Sequence, residues 1–286
     1  MAKPGSEFRS GSVPTSQIGV AGPSRVRPLQ PATVFTPQDG NLSPEDHFPV
    51  HTIFPAEGPP YLRFVNRFDS REILLVIEGS CINNGRHAVK NEGPKAGCSF
   101  VFKGASSSLH LGGDARPVVP PVTFPFAKAT DQSGELGSAS GNVAFRLERR
   151  GPCGAEIDNS SNRAKLRAAI AALQFRAWGA EGWRRVVVLT DLEYIALGAT
   201  EWLPRWVGRQ WRKPRGAGRY LNRDLWEELQ ECIDQLRERE CEVSFWLVRR
   251  ADEKESVWVD EAKAAARSAA TTVQVEKFTR LYGTAP

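Results

Sequence analysis

Residues 72–81 read EILLVIEGSC, and this stretch decides the fold. Its first seven residues form a nearly continuous apolar run, which is typical of a central strand buried on both faces. Glu78 closes the run, and a Gly-Ser pair follows it. An acid at the end of a central strand, next to a glycine-containing turn, often marks a functional site. We therefore expect Glu78 to lie in a site at one end of a sheet.

Further strand and helix patterns follow along the chain. Strand patterns occur at 96–103, 142–148, 184–190 and 241–248. Helical patterns occur at about 160–177, 192–208 in shorter pieces, 223–239 and 258–270. Strands come first and alternate with helices later, which predicts an α/β layer fold with a mixed sheet.

Two stretches lack such patterns. The first 60 residues hold 11 of the 20 prolines, mixed with Gly, Ser and Thr, and such a composition offers little apolar surface to bury. The sequence therefore predicts a disordered tail over 1–65, a domain over 66–272 and a C-terminal tail over 273–286. A Gly/Ser- and Pro-rich stretch at about 105–140 is interpreted as a flexible surface insertion of that domain.

Charge and cysteine usage exclude several classes of protein. The 38 basic and 33 acidic residues give a net charge of +5, which matters only where the charge is clustered. Five cysteines without a CxxC pair predict neither a disulfide framework nor a zinc site. No apolar run is long enough to span a bilayer, and no signal-like stretch begins the chain. We expect an intracellular monomer without a membrane partner, nuclear or cytoplasmic, with a mitochondrial location as the weaker alternative.

The positive charge is concentrated in residues 202–223, WLPRWVGRQWRKPRGAGRYLNR, which we call the basic segment. It contains three tryptophans, many arginines and no acid. Arginine and lysine neutralise phosphates, and indole faces stack on bases or sugars, so this pattern favours a nucleic-acid partner. The alternative is a solvated basic loop with one or two tryptophans in the core.

Three acidic residues follow strands or begin a helix. Glu78 ends the first strand, Asp191 follows the strand at 184–190, and Asp260 lies near the start of the last helix. Converging carboxylates suggest divalent-metal phosphoryl chemistry. Acids in these positions also serve merely as helix caps, so spacing alone leaves both interpretations open.

These sequence motifs together resemble those of the type 1 ribonuclease H family, including its fungal branch. The family's Asp-Gly-Ser-Cys strand end corresponds here to Glu78-Gly79-Ser80-Cys81. The other matching motifs are Ser160–Leu166 (SSNRAKL), Thr190–Tyr194 (TDLEY), the stretch from Trp202 to Trp226, and Val259-Asp260. The resemblance covers about residues 70–270 apart from the insertion. It implies a ribonuclease H-like fold, with a five-stranded mixed sheet of three antiparallel and then two parallel strands, flanked by helices.

The resemblance also implies a chemistry. The family cleaves the RNA strand of RNA/DNA hybrids with two Mg²⁺ ions held by four carboxylates. The four positions read Glu78, Lys165, Asp191 and Asp260, so two of them depart from the pattern. An active protein would use Mg²⁺ or Mn²⁺ with Asp191, Glu78 and Asp260 as ligands, and an inactive one would need no cofactor.

Lys165 is the graver departure, because it replaces a metal ligand with a cation. An ammonium about 4 Å from a divalent ion costs about 2 kcal/mol even in bulk-water dielectric. We expect the ammonium to bridge Asp191 and Glu78 as an internal counter-ion. The alternative is that Lys165 extends to solvent and one metal ion still binds. The family's flexible histidine has no counterpart at 249–256, and the four histidines are predicted to be solvated.

The resemblance carries over a binding surface as well. Asn84 would contact the minor groove of a hybrid, where 2′-hydroxyls distinguish RNA from DNA. Ser160 and Asn222 match a pocket for a DNA phosphate, although Asp158 stands near where many relatives carry arginine. The remaining predicted nucleic-acid-binding residues are a base-contacting position, two channel tryptophans and two arginines of the basic segment: Asn162, Trp206, Trp211, Arg209 and Arg212.

Three functions follow from these residues. The leading hypothesis is a ribonuclease H-like protein that binds an RNA/DNA hybrid or related duplex and has lost most or all hydrolysis. The second is an active, metal-dependent ribonuclease H. The third, from another class, is a protein-interaction scaffold that no longer binds nucleic acid.

Overall fold

The computed structural model describes residues 30–55, 61–84, 93–103, 122–123, 141–213, 218, 220–249 and 256–283. The strands are β1 (Thr33–Val34), β2 (Val50–Ile53), β3 (Tyr61–Asn66), β4 (Asp69–Ile82), β5 (Lys95–Val101), β6 (Val122–Thr123), β7 (Asn142–Arg146), β8 (Arg185–Thr190) and β9 (Glu242–Leu247). The α-helices are α1 (Pro44–His47), α2 (Ser161–Gln174), α3 (Glu193–Leu197), α4 (Leu203–Gly208), α5 (Arg223–Arg237) and α6 (Val257–Ala269). A 3₁₀ turn covers Trp178–Glu181, and a π-helical turn joins α3 to α4 over Gly198–Trp202.

The centre of the sheet has the order β9-β8-β4-β5-β7. β5 runs antiparallel to both of its neighbours, β4 and β7, whereas β8 runs parallel to both β4 and β9. Three antiparallel strands are thus followed by two parallel ones, and the predicted α/β architecture is confirmed. The sheet is larger than the predicted five strands, because β1 extends it beside β9, β3 and β2 add beside the first half of β4, and β6 adds beside β7.

Both faces of the sheet are covered, as the apolar run in β4 predicts. Ile73, Leu75 and Ile77 belong to the larger core, which includes α2 and α5. Leu74 and Val76 belong to a second core on the other face. All five side chains are fully buried. This alternation explains why residues 73–77, between Glu72 and Glu78, are all apolar.

The predicted disordered tail over 1–65 is wrong for the part that the structure describes. Residues 30–55 form an N-terminal arm with β1, α1 and β2, and β3 begins at Tyr61. Phe35 and Phe48 of the arm pack with Trp246 of β9 at ring-centroid distances of 5.2 and 5.9 Å. These aromatic side chains fill the second core. Residues 1–29 lie outside the described residues.

His47 is also a correction, because it is fully buried rather than solvated. Its Nε2 pairs with Oε1 of Gln38 at 2.7 Å, and its ring lies 5.5 Å from that of Trp246. His51 is exposed, as predicted, whereas His87 and His110 lie outside the described residues.

The C-terminal tail lies against the domain. Backbone hydrogen bonds join Arg149 N to Val275 O and Arg150 N to Glu276 O, and Leu281 is buried in the larger core. Most of the predicted insertion at 105–140 lies outside the described residues; within it, the two residues of β6 pair with β7. In the described part of the chain, no helix combines the length and apolar character needed to cross a lipid bilayer.

Candidate functional site

The site lies where β4 and β8 run in parallel toward the same edge of the sheet. Val76 stands opposite Leu189 in this pair, so two residues further along Glu78 stands level with Asp191. The parallel pairing ends at Val76 and Leu189, but β4 itself continues to Ile82 beside β5, so the prediction that this strand ends at Glu78 is wrong. The edge at which parallel strands stop pairing is where open α/β sheets place their ligands. The first and third predicted quartet positions are therefore brought together.

Lys165 of α2 lies between these two carboxylates. Its Nζ donates to Glu78 Oε1 at 2.9 Å and also to Asp191 Oδ1. The exposed fractions are 7% for the Lys165 side chain, 3% for Glu78 and 16% for Asp191. We call these three residues the Lys165 bridge. The ammonium occupies the position of an internal counter-ion, as the first of the two sequence interpretations expects, and does not extend to solvent.

A close approach of α2 to β4 places the ammonium there. A Cβ atom added to Gly79 would collide with the backbone nitrogen of Lys165. Glycine at position 79 therefore lets the helix backbone approach the strand backbone closely enough for the lysine side chain to reach both acids. Ser160 caps the same helix, because its Oγ accepts a hydrogen bond from Arg163 N at 3.1 Å.

The environment of Glu78 opposes its ionisation. Burial raises the pKa of the Glu78 carboxyl, the Lys165 ammonium lowers it, and the nearby Asp191 carboxylate raises it. The balance is a raised pKa, so burial outweighs the favourable ion pair. The backbone nitrogen of Gly79 donates to Glu78 Oε2 at 3.1 Å, which gives both carboxylate oxygens a partner.

The fourth quartet position, Asp260, is more exposed than the other three. Asp260 lies in the first turn of α6, and its side chain is exposed. The described residues contain no group of three or more His, Cys, Asp or Glu side chains arranged to hold a metal ion. The Lys165 bridge does not fit a two-metal centre, because its central group is an ammonium with no lone pair to donate.

A second polar group lies at the start of α2 and α5. Arg163 is buried and forms a bidentate ion pair with Asp224, at 2.9 and 2.7 Å. Its Nη1 also donates to Asn222 Oδ1 at 3.3 Å. Since the backbone nitrogen of Arg163 is bonded to Ser160, the two residues predicted to grip a phosphate are brought to opposite ends of one arginine.

Asn222 is held by its backbone as well as by its side chain. Its φ of 55° lies in the left-handed region, which asparagine tolerates better than most residues. In this conformation its Nδ2 donates to the hydroxyl of Tyr194 at 3.3 Å, and that hydroxyl also accepts from Trp226 Nε1 at 2.9 Å. Tyr194 thus ties the strand end at Asp191 to the predicted phosphate pocket.

The tryptophans of the basic segment form a half-buried aromatic cluster. Trp206 lies 6.0 Å from Trp202, 5.9 Å from Trp211 and 5.5 Å from Trp226, measured between ring centroids. Gly198 in the π-helical turn makes room for Trp226, because a Cβ there would collide with the indole ring. The cluster holds the segment against the domain while leaving part of each indole accessible.

The remaining predicted binding residues are on the surface. Asn84, Asn162, Arg209 and Arg212 are exposed, and so is Asp158. The structure therefore brings Ser160, Asn222 and the two tryptophans into contacts with other residues of the domain.

Sequence reasoning missed Arg163 and Tyr194. Both lie inside motifs that carry the family resemblance, SSNRAKL and TDLEY. Their position in these motifs is the sequence signal that could have identified them. Their roles depend on contacts 61 and 32 positions away along the chain, with Asp224 and Trp226, and no local pattern predicts such contacts.

Comparisons with known proteins agree with this geometry. The RNase H family model matches residues 128–245. A ribonuclease H from Cyanothece sp. is 42% identical over 78 residues, which cover 27% of this chain and 48% of that protein. A ribonuclease H from Xanthomonas oryzae pv. oryzae is 42% identical over 76 residues, covering 27% and 47%. The chain thus spans about half the length of the curated relatives that it matches.

Solved structures of similar proteins were also found. LC9-RNase H1, described as a type 1 RNase H with the type 2 active-site motif, is 24% identical, with 69% of this chain and 72% of that chain covered and a TM-score of 0.38. The PFV RNase H domain is 14% identical, with 69% and 91% covered and a TM-score of 0.41. The strand order and directions, together with the family match over residues 128–245, show that this chain has a ribonuclease H-like α/β fold.

Proposed function

We propose that this domain binds an RNA/DNA hybrid or a related duplex and hydrolyses it poorly or not at all. The single observation that carries the proposal is the Lys165 bridge. An ammonium between the two central carboxylates offsets half of their charge and takes the space where a divalent ion would need their lone pairs. Within the family, the words quoted above favour the fungal-type branch.

The binding half of the proposal is supported by charge and by preserved contacts. Arg209 and Arg212 of the basic segment are exposed, and the segment begins one helix after the strand end at Asp191. Arg163 links the half-buried hydroxyl of Ser160 and amide of Asn222, which are the donors of this group. Such donors bind phosphate oxygens without reading the base sequence.

The hydrolysis half is tested with a labelled hybrid at stoichiometric protein in Mg²⁺ or Mn²⁺. We expect no product above background, and clear cleavage that Asp191→Asn abolishes would overturn the proposal. The double variant Glu78→Asp with Lys165→Glu restores the family's residues at both altered positions. Cleavage by that variant alone would show that the fold is competent and that only these two residues prevent the reaction.

The binding half is tested by affinity for hybrid, double-stranded RNA and double-stranded DNA at several salt concentrations. Each phosphate contact contributes a slope of about 0.9 in log affinity against log salt. Arg209→Gln with Arg212→Gln should therefore reduce the slope by about 2. The control Arg184→Gln with Arg239→Gln removes the same charge from two exposed residues at the opposite end of β8 and β9, and it should leave the slope unchanged.

An active ribonuclease H is the second candidate. It is favoured by the curated relatives, which are named ribonuclease H and are 42% identical over the matched residues. The same cleavage assay decides between the two, because only the active enzyme turns over with Lys165 in place. Absence of saturable binding to all three duplexes would instead favour the interaction scaffold.

A further inference from the structure

We propose that Lys165 is the resident cation of this site, so that the domain binds the phosphodiester backbone without divalent ions. This inference rests on the proposed nucleic-acid binding and deepens it. It assigns to Lys165 the charge compensation that metal ions would provide in an active family member. The ligand is the phosphodiester backbone of a duplex, recognised by charge.

The first argument is the charge balance of the Lys165 bridge. Glu78 and Asp191 each contribute −1 when ionised, and Lys165 contributes +1, so the three side chains in contact sum to −1. With a glutamate at position 165 the same three side chains would sum to −3. A phosphate approaching a site of charge −3 is strongly repelled unless cations neutralise the site first. The lysine lowers this negative charge permanently, from −3 to −1.

The second argument is accessibility. The bridge is covered on the side of Glu78, whose side chain is 3% exposed, and opens on the side of Asp191, whose side chain is 16% exposed. A phosphate at this edge would therefore meet the bridge from the Asp191 side. Tyr194, three residues after Asp191, connects that side to the phosphate pocket at Asn222. The bridge and the pocket thus belong to one surface.

The third argument is that the lysine is fixed in place. Its ammonium has two charged partners, and its backbone is wedged against Gly79. A cation held by both its backbone and its head group loses little further freedom when a ligand binds, whereas free divalent ions must be recruited from solution. The reduced negative charge is therefore present in the protein before nucleic acid arrives.

The experiment measures the affinity of the full chain for a hybrid duplex in EDTA and in Mg²⁺ at matched ionic strength. We expect the wild-type affinities to agree within about threefold. If Mg²⁺ tightens wild-type binding by more than that, the inference is overturned while nucleic-acid binding stands. If neither condition gives saturable binding, the proposed function itself is overturned, so the two failures are distinguishable.

For the variant Lys165→Glu we expect the opposite result, namely binding that depends on Mg²⁺. In EDTA it should bind about tenfold more weakly than the wild type, because the charge near the phosphates becomes more negative by two units, and Mg²⁺ should restore most of the loss. The control Lys277→Glu makes the same charge change at an exposed residue of the C-terminal tail and should lose much less affinity, with no recovery in Mg²⁺. Equal affinities of Lys165→Glu and wild type in EDTA would contradict the inference.

Folding of the variant is measured alongside binding. Melting of Lys165→Glu in EDTA and in Mg²⁺ shows whether divalent ions enter the altered site, since a ligand that binds only the native state raises the melting temperature. The wild type should melt at the same temperature in both conditions, and a rise in Mg²⁺ would overturn the inference. If the variant does not fold in EDTA, the wild-type comparison decides the question.

Discussion

At the scale of single residues, one substitution determines what the site contains. Lys165 occupies a position where the resembled family carries a carboxylate, and its ammonium contacts both Glu78 and Asp191. A buried ion pair of this kind is not in itself a strong source of stability, because desolvation opposes the attraction. Removing one member is costly, however, since the remaining charges are left buried without a partner.

Lys165→Met should therefore lower the free energy of unfolding by about 3–5 kcal/mol at neutral pH. The control Arg205→Met breaks an exposed 3.8 Å ion pair with Glu201 and should cost at most about 1 kcal/mol. Both are measured by urea denaturation. Equal effects of the two substitutions would show that the lysine is not a partner of buried carboxylates.

The cost of Lys165→Met should also depend on pH. Without the ammonium, burial and Asp191 raise the pKa of Glu78 above its already raised value. The native state then binds a proton at pH values where the unfolded chain, with a glutamate pKa of 4.5, does not. Stability of the variant therefore rises as pH falls through the native pKa toward 4.5, and the deficit relative to wild type shrinks.

At the scale of elements, the N-terminal arm is ordered although its composition predicts disorder. Phe48 is fully buried between the sheet and Trp246, and Ser256, the N-cap residue of α6, donates to Glu45 of the arm at 2.6 Å. The arm thus covers the strands that carry the site and contacts the helix that carries Asp260. It is a structural layer of the domain.

Phe48→Ala should destabilise the protein by about 3–5 kcal/mol, because it leaves a cavity in the second core. Phe54→Ala changes the same residue type on the same arm, but this side chain is 76% exposed, and the effect should stay within about 0.5 kcal/mol. The measurement is equilibrium unfolding of both variants. A neutral Phe48→Ala would restore the view that the arm is a dispensable tail.

His47 makes the arm sensitive to acid. Burial and the nearby Arg67 lower its pKa from 6.5, and Asp39 opposes them. Between 6.5 and the lower native value the unfolded chain binds more protons than the native state, so His47 makes stability fall as pH decreases through this range. His47→Leu should flatten this part of the stability–pH curve. His51→Leu makes the same substitution at an exposed histidine of the same arm and serves as the control.

At the scale of the whole molecule, the reactivity of the five cysteines can be used to measure unfolding of the domain. All five are free thiols, of which Cys98, Cys232 and Cys241 are buried and Cys153 is exposed. Burial raises the pKa of both Cys232 and Cys241 to about 12, so in the native state neither forms the reactive thiolate at neutral pH.

A thiol reagent should therefore label Cys153 first, and Cys153→Ser should remove this fast phase. The three buried thiols should react only at the rate of unfolding, and Cys81, which is half-buried with a raised pKa, should react between the two. Labelling is followed by mass spectrometry in native buffer and in denaturant. Fast labelling of a buried thiol in native buffer would contradict the packing of the larger core.

The sequence alone determined the central architecture and the positions of the site. Apolar runs such as Ile73–Ile77 and Val186–Leu189 have one stable solution, a sheet covered on both faces, and the acids that follow them must then meet at one edge. Glu78 and Asp191 could therefore be paired before any coordinates. The arm could not be predicted, because β1 contains only two residues and is ordered by pairing with β9 some 200 positions later.

Only the tertiary structure decided where the ammonium of Lys165 lies. A lysine has four flexible bonds, and its sequence neighbours do not distinguish a side chain that reaches solvent from one that turns inward. The choice was made by the contact of α2 with Gly79 and by two carboxylates from strands 87 and 26 positions away. Charge attraction between groups that folding brings together, and not local pattern, places the cation in this site.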